Sequence, residues 1–72
     1  MCVGEKIRAY LQEQELTQTW LSFKTGIKLP KLNLSLNGKR KMTFSEYEII
    51  CWALGVGVEN FLEPLNPKKH YD

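Results

Sequence analysis

Between residues 16 and 45 this chain of 72 residues contains no aspartate or glutamate. The same stretch carries Lys24, Lys28, Lys31, Lys39, Arg40 and Lys41. The acids lie on either side of it. Glu5, Glu13 and Glu15 outweigh Lys6 and Arg8 before it, and Glu46, Glu48, Glu59, Glu63 and Asp72 outweigh Lys68 and Lys69 after it. A formal net charge of only +2 thus hides a polarised molecule. The asymmetry, more than the total, points to a polyanionic partner, with double-stranded DNA the first to consider.

Other scarcities exclude whole classes. Two cysteines, Cys2 and Cys51, make no disulfide framework, and no His or Cys stands at metal-ligand spacing, so neither a metal nor another cofactor is expected. Cys51 lies among Ile49, Ile50, Trp52 and Leu54 and reads as a small buried hydrophobe. The single histidine, His70, has no partner group nearby. No signal-peptide pattern and no run of about 20 apolar residues occurs, so the chain reads as cytoplasmic, with no membrane association. No nucleophile arrangement or phosphate loop is visible. Glu46 and Glu48 are two apart on a helix and point in different directions. Enzyme chemistry is not expected. With 43% apolar and 25% charged residues the composition is that of an ordinary globular protein. The length suits one small domain over residues 1–63, followed by a tail, 64–72, that carries Pro64 and Pro67.

What is present is helical. Ile7, Tyr10 and Leu11 recur at helical spacing and predict a first helix from about Glu5 to Gln14. Thr17 is a good N-cap for a second, Gln18 to about Lys24, which Gly26 ends. Pro30 is tolerated only in a first turn, so a third helix begins at Leu29 and runs to Asn37, where Asn37-Gly38 stops it. Thr43 with Glu46 three residues on forms a capping box for a fourth helix, Phe44 to Leu54. Its inward stripe is expected to be Phe44, Tyr47, Ile50, Cys51 and Leu54. Val58 to Glu63 suits a short fifth helix. No strand pattern, internal repeat or low-complexity tract interrupts the series, and the fold class is all-α.

The second and third helices, joined at Thr25-Gly26-Ile27, have the spacing of a helix-turn-helix. Gly26 permits the sharp turn, Ser22 lets the helices approach, and Leu21, Ile27 and Leu32 pin their angle. The motifs Leu16-Thr17-Gln18, Leu21-Ser22, Thr25-Gly26-Ile27, Asn37-Gly38-Lys39-Arg40 and Ala53-Leu54-Gly55-Val56 follow in order. On these residues, over about Val3 to Pro64, the chain resembles the Cro/repressor-type helix-turn-helix (XRE) family of phage repressors and small bacterial regulators.

That resemblance implies a compact bundle of five short helices of the lambda-repressor-like DNA-binding type. It implies a sequence-specific transcriptional regulator, a repressor, acting as a homodimer and reading the major groove with helix 29–37. Thr17 and Gln18 would meet DNA at the start of the second helix. Lys28, Leu29, Lys31, Asn33 and Asn37 would face bases, lysine donating to guanine, asparagine pairing with adenine and leucine touching a thymine methyl. Lys39, Arg40 and Lys41 would hold phosphate. Trp52, Phe61 and Leu65 are the candidate dimer surface.

Two positions depart from the family pattern. Leu34 falls where the family shows a polar residue, and Ser35 where it buries an aliphatic one, so either Leu34 or Leu36 takes over the packing. Trp20 and Phe23 also replace polar residues and read as core edge or association patch. A second reading follows from these apolar groups: a protein-interaction module, antirepressor- or antitoxin-like, on the same fold.

Overall fold

A computed structural model of the chain describes residues 2–62. The described residues contain four α-helices and no strand: α1, Val3–Glu13; α2, Gln18–Thr25; α3, Leu29–Leu36; and α4, Phe44–Leu54. α1 packs on α3, and α2 packs on both α3 and α4. In place of a fifth helix, Val58–Asn60 forms a single 3-10 turn. Glu63 and the tail, including Leu65, lie outside the described residues.

The expected caps organise these helices. Thr17 Oγ1 accepts the Trp20 amide at 3.0 Å, and Thr43 Oγ1 accepts the Glu46 amide at 3.1 Å while Glu46 Oε1 accepts the Thr43 amide at 2.9 Å. Each such cap satisfies amides that have no partner inside the helix. α1 starts two residues earlier than its apolar stripe suggests. Cys2 takes the N-cap position, and Glu5 reaches back to accept its amide at 3.2 Å. That hydrogen bond holds the Glu5 carboxyl below the usual range.

The core is built from Ile7, Leu11, Leu21, Leu32, Leu36, Tyr47, Ile50, Cys51 and Phe61. Burial pushes the Cys51 thiol up, in keeping with a packing role. Phe61 sits between two tyrosines, with ring centroids 5.4 Å from Tyr10 and 6.5 Å from Tyr47, both edge-on at 78°. Such pairs contribute about 0.5–1.5 kcal/mol each beyond their area. Three residues of 3-10 turn suffice to deliver Phe61 to this place, and the Tyr47 hydroxyl fastens the turn by donating to the Val58 carbonyl. Phe44, expected on the inward stripe, is instead 61% exposed. It is the first residue of α4, and its ring leans on Tyr47 from outside at 6.2 Å.

One close contact between helices has no signal in the sequence periodicity. Gly4, on the first turn of α1, is buried against α3. A Cβ added there would stand 1.9 Å from the Ser35 carbonyl oxygen and 3.2 Å from Leu36 Cα. Ser35 is buried beside it. The glycine lets the backbone of α1 come close to the backbone of α3 at Ser35, while the Ser35 hydroxyl accepts from Arg40. Of the two alternatives for the packing, Leu36 takes it; Leu34 stays outside, 45% exposed. α3 is held by its whole inner face, Leu32, Ser35 and Leu36, and its outer face is left to solvent.

Candidate nucleic-acid interface

The helix pair is assembled by a turn that three polar contacts lock. Gly26 adopts φ 80°, where a side chain would be strained. The Ser22 hydroxyl donates to the Ile27 carbonyl at 2.5 Å. The Thr25 hydroxyl donates to the Leu21 carbonyl at 2.8 Å and accepts the Ile27 amide at 3.2 Å. With Leu21 and Leu32 buried and Ile27 packed on the core, the angle between α2 and α3 is fixed by both packing and hydrogen bonds.

Thr17 and Gln18 stand at the start of α2, where unpaired amides and the helix dipole favour an anion. Lys28 is the N-cap residue of α3 and is exposed, as are Leu29, Lys31 and Asn33. At the other end Gly38 and Lys39 close α3. The Gly38 amide reaches the Ser35 carbonyl at 3.2 Å, and the Lys39 amide reaches the Leu34 carbonyl at 2.9 Å. This leaves the Lys39 and Lys41 side chains exposed beyond the helix.

A line of polar side chains crosses the face. Arg8 Nη1 donates to Asn37 Oδ1 at 2.6 Å, Asn37 Nδ2 to Asn33 Oδ1 at 3.2 Å, and Asn33 Nδ2 to Gln18 Oε1 at 3.2 Å. It ties α1, α3 and α2 together across their outer edges. A family model of the Cro/C1-type HTH DNA-binding domain matches residues 6–65. The chain belongs to this Cro/C1-type helix-turn-helix family. No curated protein and no solved structure matches it.

As a Cro/C1-type domain the chain is a DNA-binding all-α protein. Several residues nevertheless sit differently from their sequence-based expectation. Arg40 does not extend into solvent as a phosphate grip. Its guanidinium forks onto Glu46, Nη1 to Oε1 at 2.9 Å and Nη2 to Oε2 at 3.0 Å, and Nη1 also donates to Ser35 Oγ at 2.8 Å. Two parallel charged hydrogen bonds hold such a group firmly. Lys31 Nζ lies 3.4 Å from the same carboxylate. Arg40, the Thr43 amide and Lys31 together hold the Glu46 carboxyl down to about 2. Glu46, which the sequence explains as a cap alone, therefore also neutralises part of the basic block from outside it.

Asn37 occupies the C-cap of α3, and both ends of its amide are engaged, so it stands within the polar line and not in front of it. Arg8 was missed entirely. Its one available signal is register: it follows Gly4 by four residues, so the α1 face that touches α3 at Gly4 carries Arg8 one turn on. Of the candidate dimer residues, Phe61 is only 6% exposed and belongs to the core. Trp52 is 70% exposed, with Ile49 exposed one turn before it. Trp20 packs on the core edge, whereas Phe23 is 85% exposed. Among the described residues no group of His, Cys, Asp or Glu is placed to hold a metal ion, and no helix is long and apolar enough to cross a membrane.

Proposed function

We propose that this chain is a sequence-specific transcriptional regulator, a repressor, that lays α3 in the major groove of an operator. One observation carries the reading. The outer face of the helix-turn-helix presents Gln18, Lys28, Lys31 and Asn33, with Lys39 and Lys41 at its end, and no acid of its own. Lys28, Lys31 and Asn33 read base edges; Lys39, Lys41 and the α2 N-terminus with Thr17 hold the backbone. Leu29, exposed at the first turn of α3, offers an apolar contact for a thymine methyl. Arg40 acts indirectly, by bracing the loop that carries its two lysine neighbours.

A single recognition helix makes a small interface for strong specificity. The domain therefore acts as a homodimer on a two-fold operator, with Trp52 and Ile49 of α4 as the shared surface. Binding to a labelled random-sequence duplex, followed across salt, tests the electrostatic half. Each phosphate neutralised steepens the log–log slope by about 0.9, so Lys39→Ala lowers the slope by about one unit on every sequence alike. An unchanged slope removes Lys39 from the phosphate contacts. Asn33→Ala, in contrast, relaxes base preference; equal loss on all sequences would refute its reading role.

A second reading has one observation in its favour. Phe23, Leu29 and Leu34 expose apolar surface on or beside the same helix pair, which suits a protein partner. Binding to DNA that is insensitive to salt and selects no sequence would favour that reading.

A further inference from the structure

We propose that Leu34 is a specificity-determining residue of this domain: it reads a base pair in the major groove by the C5-methyl group of a pyrimidine, thymine or 5-methylcytosine. The inference rests on the DNA-reading function proposed above and names what the centre of that surface recognises.

α3 turns Leu32, Ser35 and Leu36 to the core. At about 100° per residue, the direction opposite them falls within about 30° of Pro30 and Leu34. Both are exposed, Leu34 at 45%. The two are four residues apart and share one face of the helix, the part that meets a groove first. Their polar neighbours are drawn aside. Asn33, about 70° round, donates to Gln18 on α2 at 3.2 Å. Lys31, about 90° round the other way, brings Nζ to 3.4 Å from Glu46 on α4. Asn37, which shares the outward direction at the C-cap, is half-buried and accepts from Arg8 at 2.6 Å. The middle of the recognition face is therefore apolar, and its hydrogen-bonding groups stand at the flanks. Lys28 and Lys39, exposed at either end of α3 within the acid-free block, bring a polyanion to this face.

A leucine side chain has nothing to donate or accept. Pressed onto the major-groove edge of adenine, guanine or unmodified cytosine, it would cover amino, carbonyl or ring nitrogen groups that need a hydrogen-bond partner, which opposes binding. Thymine is the one unmodified base with an apolar group on that edge, its C5-methyl. A 5-methylcytosine carries the same group at the same place. Burying one methyl against leucine favours binding about fourfold.

The test starts from duplexes selected by the full wild-type chain from a random pool. In the winning duplex each thymine is replaced singly by deoxyuridine, which deletes the methyl and leaves the O4 acceptor, and affinity is read by fluorescence anisotropy. Wild type loses about fourfold at the thymine that Leu34 meets. Leu34→Ala, at an exposed position, binds the thymine and uracil forms of that site within about twofold of each other. Leu29→Ala keeps the wild-type sensitivity there. Lys39→Ala weakens both forms alike. A second arm places cytosine or 5-methylcytosine at the same pair. A gain of about fourfold from that methyl as well makes the methyl the whole signal; a gain confined to thymine assigns the site to thymine. A role for Leu34 in folding alone lowers affinity for every duplex and leaves the methyl sensitivity unmoved. A wild-type chain indifferent to every methyl, or a Leu34→Ala chain that keeps the full sensitivity, overturns the inference while leaving DNA reading intact. A sensitivity that only Leu29→Ala removes overturns it in the same way. A pool that wild type does not enrich overturns both and leaves the apolar face to a protein partner.

Discussion

Replacing Gly4 by alanine probes the contact that sets where α3 lies. The added Cβ would fall 1.9 Å from the Ser35 carbonyl oxygen and 2.9 Å from its carbon. Carbon–oxygen contacts between backbones settle near 3.3–3.6 Å, so the two helices must part by roughly 1.5 Å at that end. The atoms it would meet belong to the backbone and cannot swing aside as a flexible side chain would. Overpacking of this kind costs about 1–3 kcal/mol, and a gap of 0.5–1 Å already forfeits a quarter to a half of each dispersion contact along the seam. Alanine's better helix propensity returns at most about 1 kcal/mol. The expected net loss is about 2 kcal/mol. In a domain this small, that lowers Tm by about 8–16 °C, read by far-UV circular dichroism. Ala9→Gly, at an exposed position of the same helix, is the control and costs only about 1 kcal/mol. A Gly4→Ala protein with unchanged or raised Tm would refute the close α1–α3 approach.

Three further outcomes follow from the same structure. Glu15 holds φ 58° just after α1, a conformation that costs a non-glycine residue about 1–2 kcal/mol; Glu15→Gly raises stability by about 0.5–1 kcal/mol in urea unfolding, part of the relief being offset by the freer unfolded chain. Glu46→Gln keeps a residue able to complete the capping box but loses the ion pair with Arg40. Because the folded-state carboxyl is depressed to about 2, below its unfolded value, the stability it contributes is present above about pH 4.5 and is lost as pH falls towards 2; the variant is therefore about 1–2 kcal/mol weaker at pH 7 and equal to wild type near pH 2. The same variant unmasks Lys31 and Arg40 and steepens the salt dependence of DNA binding. Trp52→Glu places a charge at the centre of the proposed α4 surface, and sedimentation equilibrium should then show monomers where wild type shows dimers; an unaltered dimer would move the interface elsewhere.

Much of the fold was legible because its signals are local. Thr17, Gly26, Thr43 with Glu46, and Gly55 each cap or stop a helix through groups a few residues away, and the structure keeps each in that role. Leu21, Leu32 and Leu36 follow helical spacing and are buried. The errors fall where the deciding partner is distant or where two uses compete. Gly4 meets Ser35, and Arg8 meets Asn37, across 29 positions of chain in the latter case; no periodicity announces such a pair. Arg40 lies in a run of three basic residues that reads as uniform, yet the path of the loop turns it onto Glu46 and leaves Lys39 and Lys41 outside. Phe61 sits in an apolar cluster, Val56, Val58, Phe61 and Leu62, whose members are equally suited to core or interface by composition; the two tyrosines that enclose Phe61 decide it. The proposed reading residues were legible as a group. Their mutual hydrogen bonding, which gives each amide a direction, was not.

The central claim is that the outer face of α2 and α3 reads a DNA sequence. Selection of bound duplexes from a random pool by the wild-type chain, at about 0.15 M salt, tests it most directly. The account predicts one enriched motif whose two halves are related by a two-fold axis, with centres about one helical turn apart. A pool whose composition is unchanged after repeated rounds would contradict it.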